Sequence, residues 1–283
     1  MIFKILLAYL FRLFFCVPFF KKHFFGMHQK WFQPLHLFRG IRIKKKLLGS
    51  IIFELNIDDW IPQNLFFLGS YEETELSLFR RLIKDKKCFI DIGANIGLYA
   101  LTAANEMSDD AQIIAFEPFQ VNNDSLQKNV SLNQFHNIQI EKKAISNQNK
   151  ELILYYDTQE DNLGSVSALS IENVIEEKVQ AISLDEYVIQ NDISNIEFIK
   201  MDIEGLEYLA LQGMKVILEK YHPIILIEID PEILSKTDFT SEMIEQFLNQ
   251  FGYQKYFIDS KGELSLDSSV QNAYNYLFSV DKI

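Results

Sequence analysis

Residues 88–118 read CFIDIGANIGLYALTAANEMSDDAQIIAFEP, and this stretch decides the fold. It begins with a short apolar run, turns at two glycines, continues with apolar residues at helical spacing, and ends in a second apolar run. Strands that are apolar throughout are typical of a sheet covered on both faces, and a helix between two of them makes the strands parallel. The stretch therefore predicts one β-α-β unit of a doubly wound sheet.

The same alternation extends outward from this unit over residues 51–283. Short apolar runs predict strands, and runs with spacing near 3.6 predict helices. We expect a single α/β domain built on a doubly wound, mostly parallel sheet. The predicted strands are 51–55, 88–92, 112–116, 138–146, 152–156, 196–201, 223–229, 253–258 and 276–280, and the predicted helices are 73–83, 96–107, 121–133, 206–220 and 241–251.

The turn after the first central strand indicates which ligand the sheet binds. Ligands of such folds lie at the carboxyl ends of the strands. A dinucleotide site has glycines in a G-x-G-x-x-G pattern that seats a pyrophosphate on the helix N-terminus. Here the glycines are Gly93 and Gly97, and Asp91 would repel a pyrophosphate. An acidic residue suits a ligand with an ammonium group, such as S-adenosylmethionine, better than NAD, so an NAD-dependent oxidoreductase is the weaker alternative.

The end of the second strand supports the same ligand. Glu117 and Pro118 follow the apolar run 112–116, and Glu117 lies twenty residues beyond Gly97. A carboxylate in this position can accept hydrogen bonds from both hydroxyls of a ribose. The order of strand, glycine turn, helix, strand and Glu-Pro therefore predicts a nucleoside site.

Beyond these residues, the chain resembles the FkbM family of methyltransferases from about Asp58 to Asp230. The segments that carry the resemblance are LFFLGSYEETE, CFIDIGANIGLYALTAA, AFEP, KKAIS, AISLDEY, FIKMDIEGLE and IILIEID. The resemblance implies a Rossmann-like class I methyltransferase fold and S-adenosylmethionine as the methyl donor. It also implies transfer to a hydroxyl oxygen of a sugar, glycan, glycolipid or natural-product-like acceptor.

The resemblance also implies which residues form the site. The donor-binding residues would be Asp91, Gly93, Ala94, Asn95 and Gly97 around the methionine part, Glu117 and Pro118 at the ribose, and Lys143 and Ala144 at the adenine. The catalytic residues would be Asp202 and Glu204, in the D-x-E-G position after a later strand.

Asp202 and Glu204 are compatible with two kinds of chemistry. Two apart on an extended segment, they point the same way, as a general base with its orienting partner or as ligands of a divalent cation. Glu228 ends the next strand and is the third candidate for a cation site. A hydroxyl acceptor must lose its proton, so a base or a cation is needed near the methyl group. A carboxylate pair that only complements a helix dipole is the structural alternative.

Residues 1–50 differ from the rest of the chain and are called the arm below. The arm holds ten Lys and Arg residues and no Asp or Glu, whereas the other 233 residues hold 17 basic and 39 acidic residues. Its apolar run, 5–20, is short for a membrane-spanning helix and is interrupted by Arg12. Apolar area with excess positive charge predicts contact with an anionic membrane surface. The alternatives are a helix packed on the body or on a partner subunit, and a spanning helix. Membrane contact predicts that a chain starting near Ser50 is soluble and still binds S-adenosylmethionine.

Composition and charge indicate the partners and the cellular location of the protein. The acidic body argues against nucleic acid as a partner, because neutralising phosphates requires a basic face. Two cysteines, Cys16 and Cys88, cannot form a disulfide framework. We therefore expect a cytoplasmic enzyme, attached through the arm to the inner face of the membrane, that acts on a small-molecule or glycan acceptor. A noncatalytic membrane-attached binding module is the alternative from another class, and the sequence leaves the oligomeric state open.

Overall fold

Strands and helices alternate along the chain in the computed structural model, which describes residues 2–157, 174–270 and 273–283. The strands are β1 (Arg42–Leu47), β2 (Ile51–Asn56), β3 (Cys88–Ile92), β4 (Gln112–Phe116), β5 (Ile138–Glu141), β6 (Ala144–Ile145), β7 (Lys150–Asp157), β8 (Val174–Ile182), β9 (Phe198–Met201), β10 (Ile224–Glu228), β11 (Gln254–Ile258), β12 (Leu264–Ser265) and β13 (Asn275–Ser279). The helices are α1 (Ile2–Phe15), α2 (Pro18–Lys21), α3 (Phe24–Met27), α4 (Trp60–Phe67), α5 (Glu73–Ile83), α6 (Leu98–Glu106), α7 (Gln120–Asn133), α8 (Leu184–Gln190), α9 (Glu207–Gln212), α10 (Lys215–Tyr221), α11 (Pro231–Leu234) and α12 (Ser241–Asn249).

Among the residues that the structure describes, the central sheet has eight strands in the order β12-β11-β13-β10-β9-β3-β4-β5. The run from β10 to β5 is parallel, and β13, β11 and β12 extend it as antiparallel strands. This is the doubly wound, mostly parallel, Rossmann-like sheet that the sequence predicts. The carboxyl ends of β3, β4, β9 and β10 meet at one edge, so the polar residues after those strands converge.

The two faces of the sheet bury two different sets of apolar side chains. Along β3 and β9, Phe89 and Phe198 pack on one face, in a cluster with residues of α5 and α6. Ile90 and Ile199 pack on the other face, in a cluster with residues of α8, α9 and α10. The alternation follows from the two-residue period of a strand. It explains why the central strands are apolar at nearly every position.

Two predicted elements are divided in the structure. The predicted strand 138–146 forms β5 in the central sheet and β6 in a separate three-stranded sheet with β8 and β7. The predicted helix 206–220 forms α9 and α10, with Gly213 between them. A β-carbon at Gly213 would collide with the carbonyl oxygen of Ser146. The glycine between α9 and α10 therefore lets the chain after β6 approach these helices closely.

The inner face of the arm packs on the body. The side chains of Phe15, Phe24, Phe32 and Phe38 are buried, and all four rings lie within 6 Å of the ring of Phe67, centroid to centroid. Arg12 Nε donates a hydrogen bond to the carbonyl oxygen of Phe66 at 3.0 Å. This face of the arm is therefore part of the main apolar core.

The arm also joins the body through backbone hydrogen bonds. Strand β1 pairs with β2 in an antiparallel hairpin, with Leu47 opposite Ile51. The predicted boundary at residue 50 lies in the turn of this hairpin. The arm and the body are consequently linked by paired strands as well as by aromatic packing.

The outer face of the arm leaves large apolar side chains in solvent. Its exposed apolar residues are Ile2, Phe3, Leu6, Tyr9, Leu10, Leu13, Val17, Phe19, Phe25, Trp31 and Leu35. Several recur three or four residues apart along α1 and form one stripe. None of the helices in the described part of the chain has the length and apolar character needed to cross a membrane.

Candidate functional site

A cavity of about 340 Å³ opens at the carboxyl ends of β3, β4, β9 and β10. This volume is in the range of small-molecule sites. Its lining residues include Trp60, Ile61, Tyr71, Glu72, Gly93, Ala94, Asn95, Tyr99, Phe116, Glu117, Pro118, Lys143, Ala144, Lys200, Asp202, Glu204, Glu228, Asp230 and Ile233. The cavity therefore lies where the sheet topology places a ligand.

The loop from Gly93 to Gly97 uses all five of its backbone N–H groups within the protein. Gly93 and Ala94 both donate to the carbonyl oxygen of Phe116, each at 3.0 Å. The N–H groups of the next three residues donate to the Glu117 carboxylate, to the Asn95 side chain and to the carbonyl oxygen of Ala94. A pyrophosphate site needs free N–H groups at such a turn. The loop is therefore unsuited to a dinucleotide.

Gly93 brings the loop against the residue that follows β9. Its φ of 82° lies in the left-handed region, and a β-carbon there would collide with the carbonyl oxygen of Asp202. A β-carbon at Gly97 would instead meet the side chains of Leu101 and Leu126. The first glycine thus allows the close approach of the loop to Asp202, and the second allows α6 and α7 to pack.

Glu117 is buried at the end of β4, with its carboxylate at the cavity. Its Oε2 accepts a hydrogen bond from the N–H of Asn95 at 2.8 Å, and its Oε1 accepts one from the N–H of Phe119 at 2.9 Å. Burial raises the pKa of Glu117 to about 7, although these two hydrogen bonds oppose the increase. Each oxygen retains a further lone pair with which it can accept a ligand hydroxyl.

The cavity brings together most of the residues that the sequence indicates. Those on its lining are Gly93, Ala94, Asn95, Glu117, Pro118, Lys143, Ala144, Asp202, Glu204 and Glu228. Asp91 and Gly97 are not on the lining. Asp91 is fully buried beside Lys200, its register partner in β9, and its oxygens have no hydrogen-bond partner among the described residues. Burial raises the pKa of Asp91 to about 6, and Lys200 opposes this effect.

Lys200 is a buried cation beneath the cavity. Its Nζ lies 3.0 Å from Asp202 Oδ2 and 5.0 Å from the centre of the Tyr99 ring. Burial favours the neutral form of Asp202, but the charge of Lys200 and hydrogen bonds from Lys200 and Glu228 outweigh it, so the pKa of Asp202 is lowered. Asp202 is consequently held as an anion.

Glu204 and Glu228, the other two candidates for catalysis or cation binding, both have raised pKa values. The charge of Asp202 and burial raise the pKa of Glu228, which is hydrogen bonded to Asp202. Burial and the neighbouring carboxylates, Asp202 first, raise the pKa of Glu204. The backbone at Glu204 has a φ of 55°. The turn that contains Glu204 is held by Glu207, whose Oε1 accepts hydrogen bonds from the N–H groups of Ile203 and Gly205.

The candidate cation ligands do not assemble into a metal site. Among residues 2–157, 174–270 and 273–283, no group of three or more His, Cys, Asp or Glu side chains has an arrangement that could hold a metal ion. The charge of Asp202 instead raises the pKa of Glu228, which is hydrogen bonded to it.

The structure adds cavity residues that the motifs do not identify. Trp60 and Ile61 come from α4, and Tyr71 and Glu72 come from the segment before α5. A signal for Lys200 existed in the sequence, because a lysine interrupts the apolar strand 198–201. The contribution of α4 had no such signal, since it depends on how a distant segment packs.

Comparison with known proteins identifies a family. The family model described as "Methyltransferase FkbM domain" matches residues 91–255. No curated protein matches the chain. A solved FkbM methyltransferase from Methylobacillus flagellatus KT is 17% identical, with a TM-score of 0.44 over 69% of this chain and 43% of that one, so this chain spans less than half of that protein's length.

Two other solved structures are similar over more of their length. A caffeoyl-CoA O-methyltransferase from Staphylococcus aureus, assigned that activity provisionally, is 12% identical, with a TM-score of 0.45 over 74% of this chain and 84% of that one. TYW2 from M. jannaschii, solved in complex with AdoMet, is 12% identical, with a TM-score of 0.42 over 84% of each chain.

The matched region covers more than half of the 283 residues and contains the glycine loop, Glu117 and the segment around Asp202. It thus includes both the loop side and the carboxylate side of the cavity. The chain belongs to the FkbM family of methyltransferases.

Proposed function

We propose that this protein transfers the methyl group of S-adenosylmethionine to a hydroxyl oxygen of a sugar, glycan, glycolipid or natural-product-like acceptor. The observation that carries the proposal is that one cavity joins the Gly93 loop and Glu117 to the carboxyl groups of Asp202, Glu204 and Glu228. The first group suits a nucleoside donor, and the second suits a hydroxyl that must lose a proton.

The residues on the donor side fit S-adenosylmethionine. The carboxylate of Glu117 has lone pairs for the two ribose hydroxyls, and Lys143 and Ala144 line the region assigned to the adenine. The Gly93 loop has no free N–H groups for a phosphate, which favours a donor without one. Asp91 lies behind the loop as a buried carboxyl group, where it sets the electrostatics of the site together with Lys200.

The residues on the acceptor side hold and orient a hydroxyl. When bound, S-adenosylmethionine supplies an electrophilic methyl group. The anionic Asp202 can accept a hydrogen bond from the acceptor hydroxyl, and the neutral Glu204 can donate one to a neighbouring oxygen. Trp60 and Tyr71 add aromatic surface to the same cavity. Positioning of the hydroxyl by these groups supplies most of the rate acceleration.

The test is transfer of an isotopically labelled methyl group from S-adenosylmethionine to a polar-lipid and glycan extract. We expect label in a product that resists alkaline hydrolysis, as a methyl ether does.

Glu117→Ala should weaken donor binding about 10- to 150-fold, because a charge-assisted pair of hydrogen bonds is worth about 1.5–3 kcal/mol. Calorimetry measures the affinity, and circular dichroism checks folding, since Glu117 also accepts the N–H groups of Asn95 and Phe119. Unchanged donor affinity in the folded variant would refute the role of Glu117, and a wild-type protein that binds only NAD would refute the function.

We also propose that the arm attaches the protein to the anionic inner face of the membrane, on the cytoplasmic side. The support is an exposed apolar stripe on α1, in an arm that holds ten basic residues and no acidic ones. Lys21, Lys22, Lys30 and Arg39 are all exposed. Apolar side chains insert at an interface while basic groups are attracted to anionic lipids.

Replacing Leu10 and Leu13 together with glutamate should weaken binding to vesicles of phosphatidylglycerol and phosphatidylcholine by at least about 10-fold, since two apolar contacts are lost and two repelling charges are added. The two leucines are 62% and 67% exposed, so the fold should be unaffected. Ile189→Glu is the matched control, because Ile189 is 68% exposed on α8 of the body. Co-sedimentation measures the binding. Equal binding of the double variant and the wild type would contradict attachment through this face.

A further inference from the structure

Glu72 is a carboxyl group at the cavity for which the motifs and the family resemblance imply no role. It precedes α5 and lines the cavity with Tyr71 and Tyr99. The Tyr99 hydroxyl donates a hydrogen bond to Glu72 Oε2 at 2.8 Å. Within the described part of the chain, Tyr99 is the only hydrogen-bond donor to this carboxyl group. The second oxygen, Oε1, is therefore available to a ligand.

Glu72 has a left-handed backbone conformation, and its side chain does not cap α5. Its φ and ψ are 48° and 47°, a left-handed conformation that residues other than glycine adopt rarely. Although Glu72 occupies the N-cap position of α5, its side chain makes no capping hydrogen bond. Sparsely populated backbone conformations concentrate at functional sites, where the surrounding structure imposes them.

The groups around Glu72 suit it to exchange a proton near neutral pH. Burial raises the pKa of Glu72 to about 7, with Asp202 and Glu75 adding to the increase and Lys200 and the Tyr99 hydrogen bond opposing it. An efficient general base has a pKa near the working pH. Asp202 is less suited to accept a proton, because Lys200 and Glu228 already make hydrogen bonds with its carboxylate and lower its pKa. The titratable and charged groups that act on Glu72 or are affected by its charge are Tyr71, Glu75, Tyr99, Lys200, Asp202 and Glu228.

We propose that Glu72 is the general base that removes the proton from the acceptor hydroxyl. This inference rests on the proposed function. As the hydroxyl oxygen forms its bond to the methyl carbon, the carbon–sulfur bond breaks with its electron pair on sulfur, and the hydroxyl proton moves to Glu72 Oε1. Asp202 remains an anion that orients the hydroxyl. Glu72 then releases the proton to water, which restores the carboxylate for the next turnover.

The test compares Glu72→Gln, Tyr99→Phe and the control Glu73→Gln with the wild type. Glu73 is the adjacent, exposed residue, and its carboxylate accepts a hydrogen bond from Ser70. Single-turnover transfer of labelled methyl to the polar-lipid and glycan extract is measured from pH 5 to pH 9 at saturating S-adenosylmethionine. The wild-type rate should rise with pH through about 7, since the base must be ionised. Glu72→Gln should be about 100- to 10,000-fold slower and lack this rise, with donor affinity unchanged.

Tyr99→Phe distinguishes a base from a structural residue. The Tyr99 hydroxyl stabilises the ionised form of Glu72, so its removal should raise the pKa and move the rise in rate to higher pH. A purely structural role would lower the rate equally at every pH. Glu73→Gln should retain the wild-type rate and profile.

A second measurement does not depend on the acceptor. The carbon-13 signal of the Glu72 carboxyl group, identified by its loss in Glu72→Gln, should titrate near pH 7 and at higher pH in Tyr99→Phe. Titration near the ordinary value of 4.5, or turnover of Glu72→Gln above a tenth of wild type at pH 8, would overturn the proposal. A protein that binds S-adenosylmethionine and methylates nothing would instead refute the proposed function, and the titration alone would then decide whether Glu72 has the proton affinity of a base.

Discussion

Asp202→Asn is expected to reduce turnover about 100-fold, because the acceptor hydroxyl loses the anion that orients it, while the affinity for S-adenosylmethionine stays within about twofold of wild type. Asparagine has nearly the same shape as aspartate but carries no charge. It cannot balance Lys200, whose Nζ lies 3.0 Å from Asp202 Oδ2, and it holds an acceptor hydroxyl less strongly. Single-turnover methyl transfer and calorimetry with the donor measure the two quantities separately.

The control for this change is Asp192→Asn. Asp192 is exposed in a turn after α8, and its φ of 52° suits asparagine equally well. A chelator added to the wild-type enzyme tests the cation alternative, because loss of turnover would assign Asp202 to a metal site. If Asp202→Asn retained more than a third of the wild-type turnover, Asp202 would have no part in the reaction.

Phe32→Ala is expected to lower the free energy of unfolding by about 3–5 kcal/mol, the usual cost of removing a buried aromatic side chain. Phe32 is 1% exposed. Its ring lies between those of Phe11, Phe38 and Phe67, with centroids 5.0, 5.1 and 5.6 Å away. Urea-induced unfolding followed by tryptophan fluorescence measures the change.

Phe25→Ala is the matched control, because Phe25 belongs to the same arm but is 56% exposed. Its expected cost is within about 0.5 kcal/mol, as for most surface substitutions. Equal stability of the Phe32 and Phe25 variants would mean that the arm does not pack on the body in solution.

Because the arm packs on the body, we no longer expect a chain that begins near Ser50 to be soluble. Such a chain would lose the strand that pairs with β2 and four buried phenylalanines, Phe15, Phe24, Phe32 and Phe38. The cavities and exposed core that remain favour aggregation. Membrane attachment is therefore tested better by Leu10→Glu and Leu13→Glu, which leave the core intact.

The fold, and the meeting of most of the predicted site residues at one edge of the sheet, could be predicted from local sequence. The strands 88–92 and 112–116 and the helix 73–83 begin and end in the structure where apolar periodicity places them. Asp202 and Glu228 meet at one edge because parallel strands bring their carboxyl ends together. These features depend on residues close in the chain, or on a sheet rule that holds for any sequence of this pattern.

Which side chains of the arm are buried and which are exposed could not be predicted from local sequence. Composition shows that the arm is basic and rich in phenylalanine, but Phe24 and Phe25 are adjacent and identical in type. One is buried against Phe67 and the other is largely exposed. The difference arises from which side of the chain meets α4, and this is a property of the packed structure.

The sequence by itself determined three features: the mostly parallel sheet, the glycine turn and the carboxylates at the strand ends. Each of them is encoded by residue type and short-range periodicity. Only the tertiary structure decided the protonation of those carboxylates. Lys200 holds Asp202 as an anion, while burial and Asp202 keep Glu228 neutral. Tertiary packing also brought Glu72 to the cavity of Asp202, which lies more than a hundred residues further along the chain. Burial and charge depend on distances in space, which residue spacing along the chain does not contain.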